Sequence, residues 1–169
     1  MTNHIVLFEP QIPPNTGNIA RTCAGTNSSL HLIEPLGFQL GDKHLRRAGL
    51  DYWDDLNVYI HESLDAFLST IDLSDLFLIT KFAEKIYTDQ DFSDIDKDYY
   101  LMFGKETTGL PEEFMKTYAD RCLRLPMNDE HIRSLNLSNS AAIVIYELLR
   151  QQNFAQLELM HHYEKDKLK

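Results

Sequence analysis

The chain has 169 residues, of which 43% are hydrophobic and 25% are charged. This length suits one domain with a real core, and the composition excludes a disordered, fibrous or membrane-spanning class in favour of a soluble globular protein. The formal net charge of −10 and the pI near 5.0 argue against a nucleic-acid partner, unless the basic residues are gathered on one face.

Strands and helices alternate along the chain. The predicted strands are Ile5–Phe8, Leu30–Ile33, Val58–Ile60, Leu76–Thr80, Tyr99–Phe103 and Arg121–Leu125. The predicted helices run from Asn15 or Thr16 to about Thr26, from Lys43 to Ala48, from Leu64 to Ile71, onward from Pro111, and from Ala141 to Gln152. This alternation is the signature of an α/β protein in which helices flank both faces of a parallel sheet. We expect one domain over residues 1–154 and a tail over 155–169 that forms a frayed helix.

Three loops with unusual residues follow buried strands. The first places Asn15, Asn18 and Arg21 three residues apart, close to one face of a helix. The second, residues 103–111, contains two glycines that would let the backbone approach a ligand. Each has a plainer interpretation: Asn15 as a helix cap with Arg21 as a solvated charge, and residues 103–111 as a simple strand-to-helix turn.

The third loop is the Asn- and Ser-rich turn from Arg133 to Ser140, which leads into an apolar helix. Ser138, Asn139 and Ser140 are all good N-caps, so capping alone would explain part of this turn. The same side chains, with the free N–H groups of the first helical turn, would also suit a polar ligand. Because ligands of open parallel sheets bind at the carboxyl ends of the strands, three such loops in order predict a binding site.

The cysteines and the first residues predict the cellular setting. Cys23 and Cys122 lie far apart without CxxC spacing, which predicts buried thiols rather than a disulfide or a zinc site. No apolar run reaches the length of a membrane span, and the N-terminus lacks the basic start of a signal peptide. We therefore expect a cytoplasmic protein that uses no metal.

From about residue 4 to residue 154, the chain resembles the SPOUT superfamily of RNA methyltransferases. Within it, the chain is most similar to the small branch that methylates the ribose 2′-OH of the tRNA wobble nucleotide, a cytidine or a modified uridine. The segments that carry the resemblance are Glu9-Pro10, 15–21, 31–38, 45–52, Phe103-Gly104, Glu106, Gly109-Leu110-Pro111 and 133–139.

The resemblance implies a deep trefoil knot in the C-terminal part, an obligate homodimer and S-adenosylmethionine held bent in the knot. By position it implies a cofactor site of Ile79, Gly104, Leu125, Ser134 and Asn139, and a catalytic group of Asn15, Arg21, Glu106 and Asn136. It also implies a tRNA-binding surface that includes Lys43, Arg46, Arg47 and Arg133. The run from Lys43 to Arg47 has a plainer interpretation, which is a helix face exposed to solvent. The chain departs from the pattern at Phe82-Ala83, where many relatives carry a glycine, and at Thr108, where some carry Arg.

Methyl transfer to a ribose hydroxyl needs an in-line approach and a proton acceptor. A guanidinium holds its proton to a pKa above about 12, so Arg21 is a poor free base. We expect Arg21 to grip the neighbouring phosphate and ribose while phosphate or water takes the proton. Glu106 would then organise Arg21 through a charge-assisted pair; a surface carboxylate is the alternative.

Competing functions have weaker support. A binding module similar to a response regulator would need an acidic cluster after the first strand. This chain has Glu9-Pro10-Gln11 at that position, which is not such a cluster. A nucleotide-binding oxidoreductase would need the phosphate-binding motif GxGxxG, which the sequence lacks. A knotted methyltransferase acting on a base or on ribosomal RNA stays open, although such relatives often add an RNA-binding domain that this chain has no room for.

Overall fold

The structure, a computed structural model, describes residues 2–41, 56–165 and 167–168. Within those ranges the strands are β1 (Asn3–Phe8), β2 (Ser29–Ile33), β3 (Val58–His61), β4 (Leu76–Ile79), β5 (Tyr99–Phe103) and β6 (Cys122–Leu123). They form one parallel sheet in the order β3-β2-β1-β5-β4-β6. The order changes direction between β1 and β5, and such a switch point is where open α/β sheets bind ligands.

Helices cover both faces of the sheet, as the sequence predicted. They are α1 (Pro13–Gly25), α2 (Leu64–Leu68), α3 (Glu112–Thr117) and α4 (Leu137–Gln151), and short 3₁₀ turns lie at Leu73–Asp75, Tyr87–Asp89 and Ala119–Arg121. On one face α1 and α4 pack over one set of alternate strand residues, such as Leu7 and Leu101. On the other face α2 and α3 pack over the opposite set, such as Val6 and Met102. Burial on both faces explains why the strands are continuous apolar runs.

Several predicted boundaries were wrong for local reasons. α1 begins at Pro13, because two prolines in the first turn need no N–H partner, so Asn15 lies inside the helix and is not its cap. The tail over 155–165 and 167–168 contains no helix. The predicted basic helix from Lys43 to Ala48 lies outside the described residues.

Two further predictions concern burial and membrane spans. Cys23 and Cys122 are buried free thiols, as expected, and burial raises the pKa of Cys122. In the described ranges, every helix is too short or too polar to cross a bilayer.

Candidate active site

A cleft of about 430 Å³ opens at the carboxyl ends of β4, β5 and β6. This volume lies in the range of about 300–1,000 Å³ that small-molecule sites occupy. Its walls come from the loops that follow these strands and from the starts of α1 and α4. The residues that line it include Ile12, Asn15, Ile79, Phe82, Gly104, Glu106, Leu125, Ser134 and Asn136. The three loops singled out in the sequence therefore meet at one place.

The loop after β5 closes on itself beside the cleft. The N–H of Gly109 donates to the carbonyl of Lys105 across 2.9 Å, and Gly109 has a left-handed backbone with φ of 73°. A Cβ on Gly104 would lie 2.2 Å from the carbonyl carbon of Gly109. The two glycines thus allow a tight loop, and this loop presents Glu106 to the start of α1.

Glu106 binds the residues at which α1 begins. Its carboxylate accepts hydrogen bonds from the N–H groups of Gln11 (2.8 Å) and Ile12 (3.1 Å) and from Nδ2 of Asn15 (3.2 Å). Ile12 is the N-cap and supplies no capping side chain, so this carboxylate provides the negative charge that the positive end of the helix favours. The expected ion pair between Glu106 and Arg21 is not among the ion pairs of the described residues.

Asn15 and Asn136 extend this contact to α4. Nδ2 of Asn136 donates to Oδ1 of Asn15 across 3.0 Å, and Oδ1 of Asn136 accepts from the N–H groups of Ser138 and Asn139. Asn136 is therefore the N-cap of α4, and the prediction that Ser138, Asn139 or Ser140 caps it was wrong. A continuous chain of hydrogen bonds runs from Glu106 through the buried amide of Asn15 and the exposed amide of Asn136 to the start of α4.

Arg124 joins the loops on the other side of the cleft. Its guanidinium donates to the carbonyl of Lys81 and pairs with the carboxylate of Asp129. Its backbone N–H donates to the carbonyl of Lys85 across 2.8 Å, and its carbonyl accepts from the N–H of Tyr87 across 3.0 Å. One residue thus ties the loop after β4 to the loop after β6.

The structure brings together most of the predicted site residues. Ile79, Gly104, Leu125, Ser134, Asn15, Glu106 and Asn136 all line the cleft. Asn139 lies in the first turn of α4 and Arg21 is exposed on α1; neither is among the residues that line the cleft, and Arg133 is exposed beside Ser134. Lys43, Arg46 and Arg47 lie outside the described residues.

Sequence reasoning also missed an ion pair at the rim. Lys105 pairs with Glu9, which follows β1 with a left-handed φ of 44°. The carbonyl of Glu9 in turn accepts from Nε2 of Gln11 across 2.7 Å. Acidic and basic residues in two loops after neighbouring strands were the available signal, but their pairing depends on backbone geometry that sequence spacing does not report.

Similar proteins share this fold and sequence over nearly the whole chain. A relative from Lactococcus lactis subsp. cremoris is 62% identical over 168 residues, which is 99% of this chain and 99% of the relative. The tRNA (cytidine(34)-2′-O)-methyltransferase of Saccharophagus degradans is 48% identical over 90% of this chain and 97% of that protein. A solved structure described by the words "2-OH methylation of C/U34 on tRNA" superposes with a TM-score of 0.81 at 38% identity, covering 90% of this chain and 97% of that one. The model of the SpoU rRNA Methylase family matches residues 2–146, and the chain therefore belongs to that family.

Proposed function

We propose that this protein transfers a methyl group from S-adenosylmethionine to the ribose 2′-OH of nucleotide 34, a cytidine or uridine, in the anticodon loop of tRNA. The observation that carries the proposal is the hydrogen-bonded chain Glu106–Asn15–Asn136, which fixes three loops around one cleft. The relatives that share the chain over most of its length bear names for this same reaction.

The residues present fit S-adenosylmethionine. Ile79 and Leu125 supply apolar walls at the ends of neighbouring strands, and the closely folded loop from Gly104 to Gly109 brings backbone polar groups to the cleft. A nucleoside with an amino-acid tail needs this combination of apolar surface and a few fixed polar groups. The cofactor supplies the methyl group; Ser134 is the side-chain hydroxyl that we place beside it, and Asn139 is assigned to the geometry of α4.

The amides and Arg21 would act on the ribose. Asn136 uses one N–H of Nδ2 for Asn15, so its second N–H is left for a substrate oxygen. Arg21, on the exposed side of α1, would bind the phosphate beside the target ribose through two parallel hydrogen bonds from its guanidinium. This holds the hydroxyl in line for attack, an alignment worth several kcal/mol in well-oriented systems. Phosphate or water then accepts the hydroxyl proton.

We also propose the C-terminal trefoil knot. The connection from β4 to β5 contacts both the strand and the helix that follow it in sequence: Ile86 bridges Arg124, and the N–H of Phe92 donates to Oε1 of Gln151 in α4 across 2.8 Å. Nε2 of Gln151 returns a bond to the carbonyl of Gln90 across 3.1 Å. A connection wrapped around the later chain in this way supports passage of the C-terminal segment through a loop.

We infer an obligate homodimer that pairs through α4. Ile143 and Tyr146 on this helix are 40% and 50% exposed, whereas its apolar side chains Val144, Ile145 and Leu148 are buried in the core. An apolar stripe left open on a surface helix suits a self-complementary two-fold interface.

The methyltransferase domain would span residues 1–154, and its basic residues Lys43, Arg46, Arg47 and Arg133 would contribute to the tRNA surface. We expect the enzyme in the cytoplasm because its tRNA substrate is there.

The experiment that tests the function is transfer of tritiated methyl groups from S-adenosylmethionine to bulk tRNA, followed by nucleoside mapping. The proposal requires label on the ribose of nucleotide 34. Label on a base, or on another RNA site, would assign the chain a different methyltransferase activity. Absence of both transfer and cofactor binding would favour a non-catalytic binding module.

A further inference from the structure

Phe82 is an exposed aromatic residue at the mouth of the cleft. Its exposed fraction is 71%, and among the described large hydrophobic residues before the C-terminal tail the next most exposed, Tyr146, reaches 50%. Single exposed apolar side chains are common and need no explanation by themselves. What distinguishes Phe82 is that its backbone is held firmly and that its ring borders two cavities.

The turn that carries Phe82 is anchored at every residue. The N–H of Thr80 donates to the carbonyl of Leu123 across 3.0 Å, and the N–H of Phe82 donates to Oγ1 of Thr80 across 3.3 Å. Arg124 donates to the carbonyl of Lys81. The ring is therefore presented from a fixed backbone, so a planar ligand that packed on it would cost little further ordering of the turn.

The setting of the ring indicates what would pack on it. Phe82 and Lys105 line both the cofactor cleft and a neighbouring groove of about 1360 Å³. Nζ of Lys81 lies 5.1 Å from the ring centroid, within reach of a cation–π contact. A flat aromatic surface next to an ammonium group suits a nucleotide, which carries a planar base beside a phosphate.

We propose that Phe82 is the stacking platform for the base of the nucleotide that is methylated, with Lys81 placed for its phosphate. This rests on the proposed function. A ribose that enters the cleft leaves its base at the rim, where the ring lies. Stacking reads the flat face of a base and ignores its hydrogen-bonding edge, which gives a physical reason for one site to accept both cytidine and uridine.

A double-mutant cycle between the ring and the base tests the proposal. The substrates are two synthetic anticodon stem-loop RNAs, one intact and one with an abasic nucleotide 34 that keeps its ribose 2′-OH. For the wild-type enzyme, loss of the base should raise KM about tenfold. Phe82→Ala should raise KM on the intact RNA by the same factor, and loss of the base should then add nothing. Phe82→Tyr should restore KM, because it keeps the aromatic face, and Phe82→Leu should not.

The control measurements separate this inference from its competitors. Ile95→Ala removes another half-exposed apolar side chain, away from the cleft lining, and should leave both KM values unchanged. Additive effects of Phe82→Ala and the abasic site would overturn the proposal. So would a tenfold loss of S-adenosylhomocysteine affinity at unchanged KM for RNA, or conversion to monomers, since the ring would then serve the cofactor or the partner copy. If the wild-type enzyme fails to methylate the intact RNA, the proposed function itself is wrong.

Discussion

Nδ2 of Asn136 lies 3.0 Å from Oδ1 of Asn15, and these two residues are 121 positions apart in the chain. Through this bond the start of α4 and the start of α1 share one polar network, whose other end is the carboxylate of Glu106. The loops after β1, β5 and β6 therefore hold their positions relative to one another. Because methyl transfer depends on alignment, this network should affect the rate more than it affects stability.

Asn136→Ala should reduce kcat/KM by about 100-fold and lower the free energy of unfolding by about 1 kcal/mol. The variant removes both the bond to Asn15 and the cap of α4. Ser63→Ala is the matched control, since Ser63 caps α2 by accepting from the N–H of Ala66 across 3.1 Å. It should cost similar stability in urea unfolding and leave methyl transfer intact. Equal activities of the two variants would show that capping alone explains Asn136.

Glu106→Gln should lose activity by at least about tenfold and stability by about 2 kcal/mol. The carboxylate accepts three hydrogen bonds with its two oxygens. An amide would place its NH₂ group, which is itself a donor, opposite one of these N–H donors, so that hydrogen bond would be lost. Glu113→Gln changes a carboxylate that is 87% exposed in a surface ion pair, so it should be neutral in both assays. A fully active Glu106→Gln enzyme would contradict the positioning role.

Gly104→Ala should abolish cofactor binding and lower the free energy of unfolding by about 3 kcal/mol. The added Cβ would lie 2.4 Å from the N of Leu110, a backbone atom that cannot move without opening the loop. Gly25→Ala at the end of α1 meets nothing within 4 Å and should be neutral or slightly stabilising. Isothermal titration with S-adenosylhomocysteine and thermal unfolding check both variants. If Gly104→Ala kept its affinity for S-adenosylhomocysteine, the loop would have to adjust its backbone to accommodate the Cβ, and the prediction would be wrong.

Arg124→Met should raise KM for S-adenosylmethionine about tenfold while the KM for tRNA changes little. The substitution removes the side-chain ties between the loops after β4 and β6, since both the Lys81 carbonyl and Asp129 lose their donor, while the backbone bonds of residue 124 to Lys85 and Tyr87 stay. Arg124→Lys should recover only part of the affinity, because one ammonium group cannot reproduce the hydrogen bonds of the planar guanidinium to two partners. Arg150→Met removes a bidentate pair with Glu147 away from the cleft and should leave both KM values unchanged.

Three histidines on β1, β2 and β3 form a hydrogen-bonded row on the sheet face covered by α2. Nδ1 of His4 lies 2.9 Å from Nε2 of His31, and Nδ1 of His31 lies 2.9 Å from Nε2 of His61. Burial lowers the pKa of His4 to about 4, although Asp98 opposes the shift. Burial, with the neighbouring His4 and His61, lowers the pKa of His31 to about 3. The folded protein therefore keeps the buried pair neutral.

Stability should fall on acidification below about pH 6.5, with both His4 and His31 contributing down to about pH 4 and His31 alone down to about pH 3. Below the ordinary histidine pKa of 6.5, the unfolded chain binds protons that the folded chain excludes, so the free energy of unfolding decreases as pH drops. The slope is about 1.4 kcal/mol per pH unit for each buried histidine. Urea unfolding at fixed protein concentration measures it. His31→Leu should flatten the slope, whereas His131→Leu at an exposed position should keep it; parallel curves for wild type and His31→Leu would contradict the assignment.

From its sequence alone, this protein could be assigned its alternation of strands and helices, its three loops at the carboxyl ends of strands, and its family. Those features depend on periodicity, on Gly and Pro, and on short ordered motifs, all of which act between near neighbours in the chain. The folded structure was needed to show that Glu106 binds the start of α1, that Asn136 caps α4 while it holds Asn15, and that Arg124 joins two loops. The contacts from Glu106 and Asn136 to Asn15 connect residues 91 and 121 positions apart, and such pairings follow from the packing of the sheet, which local spacing does not encode.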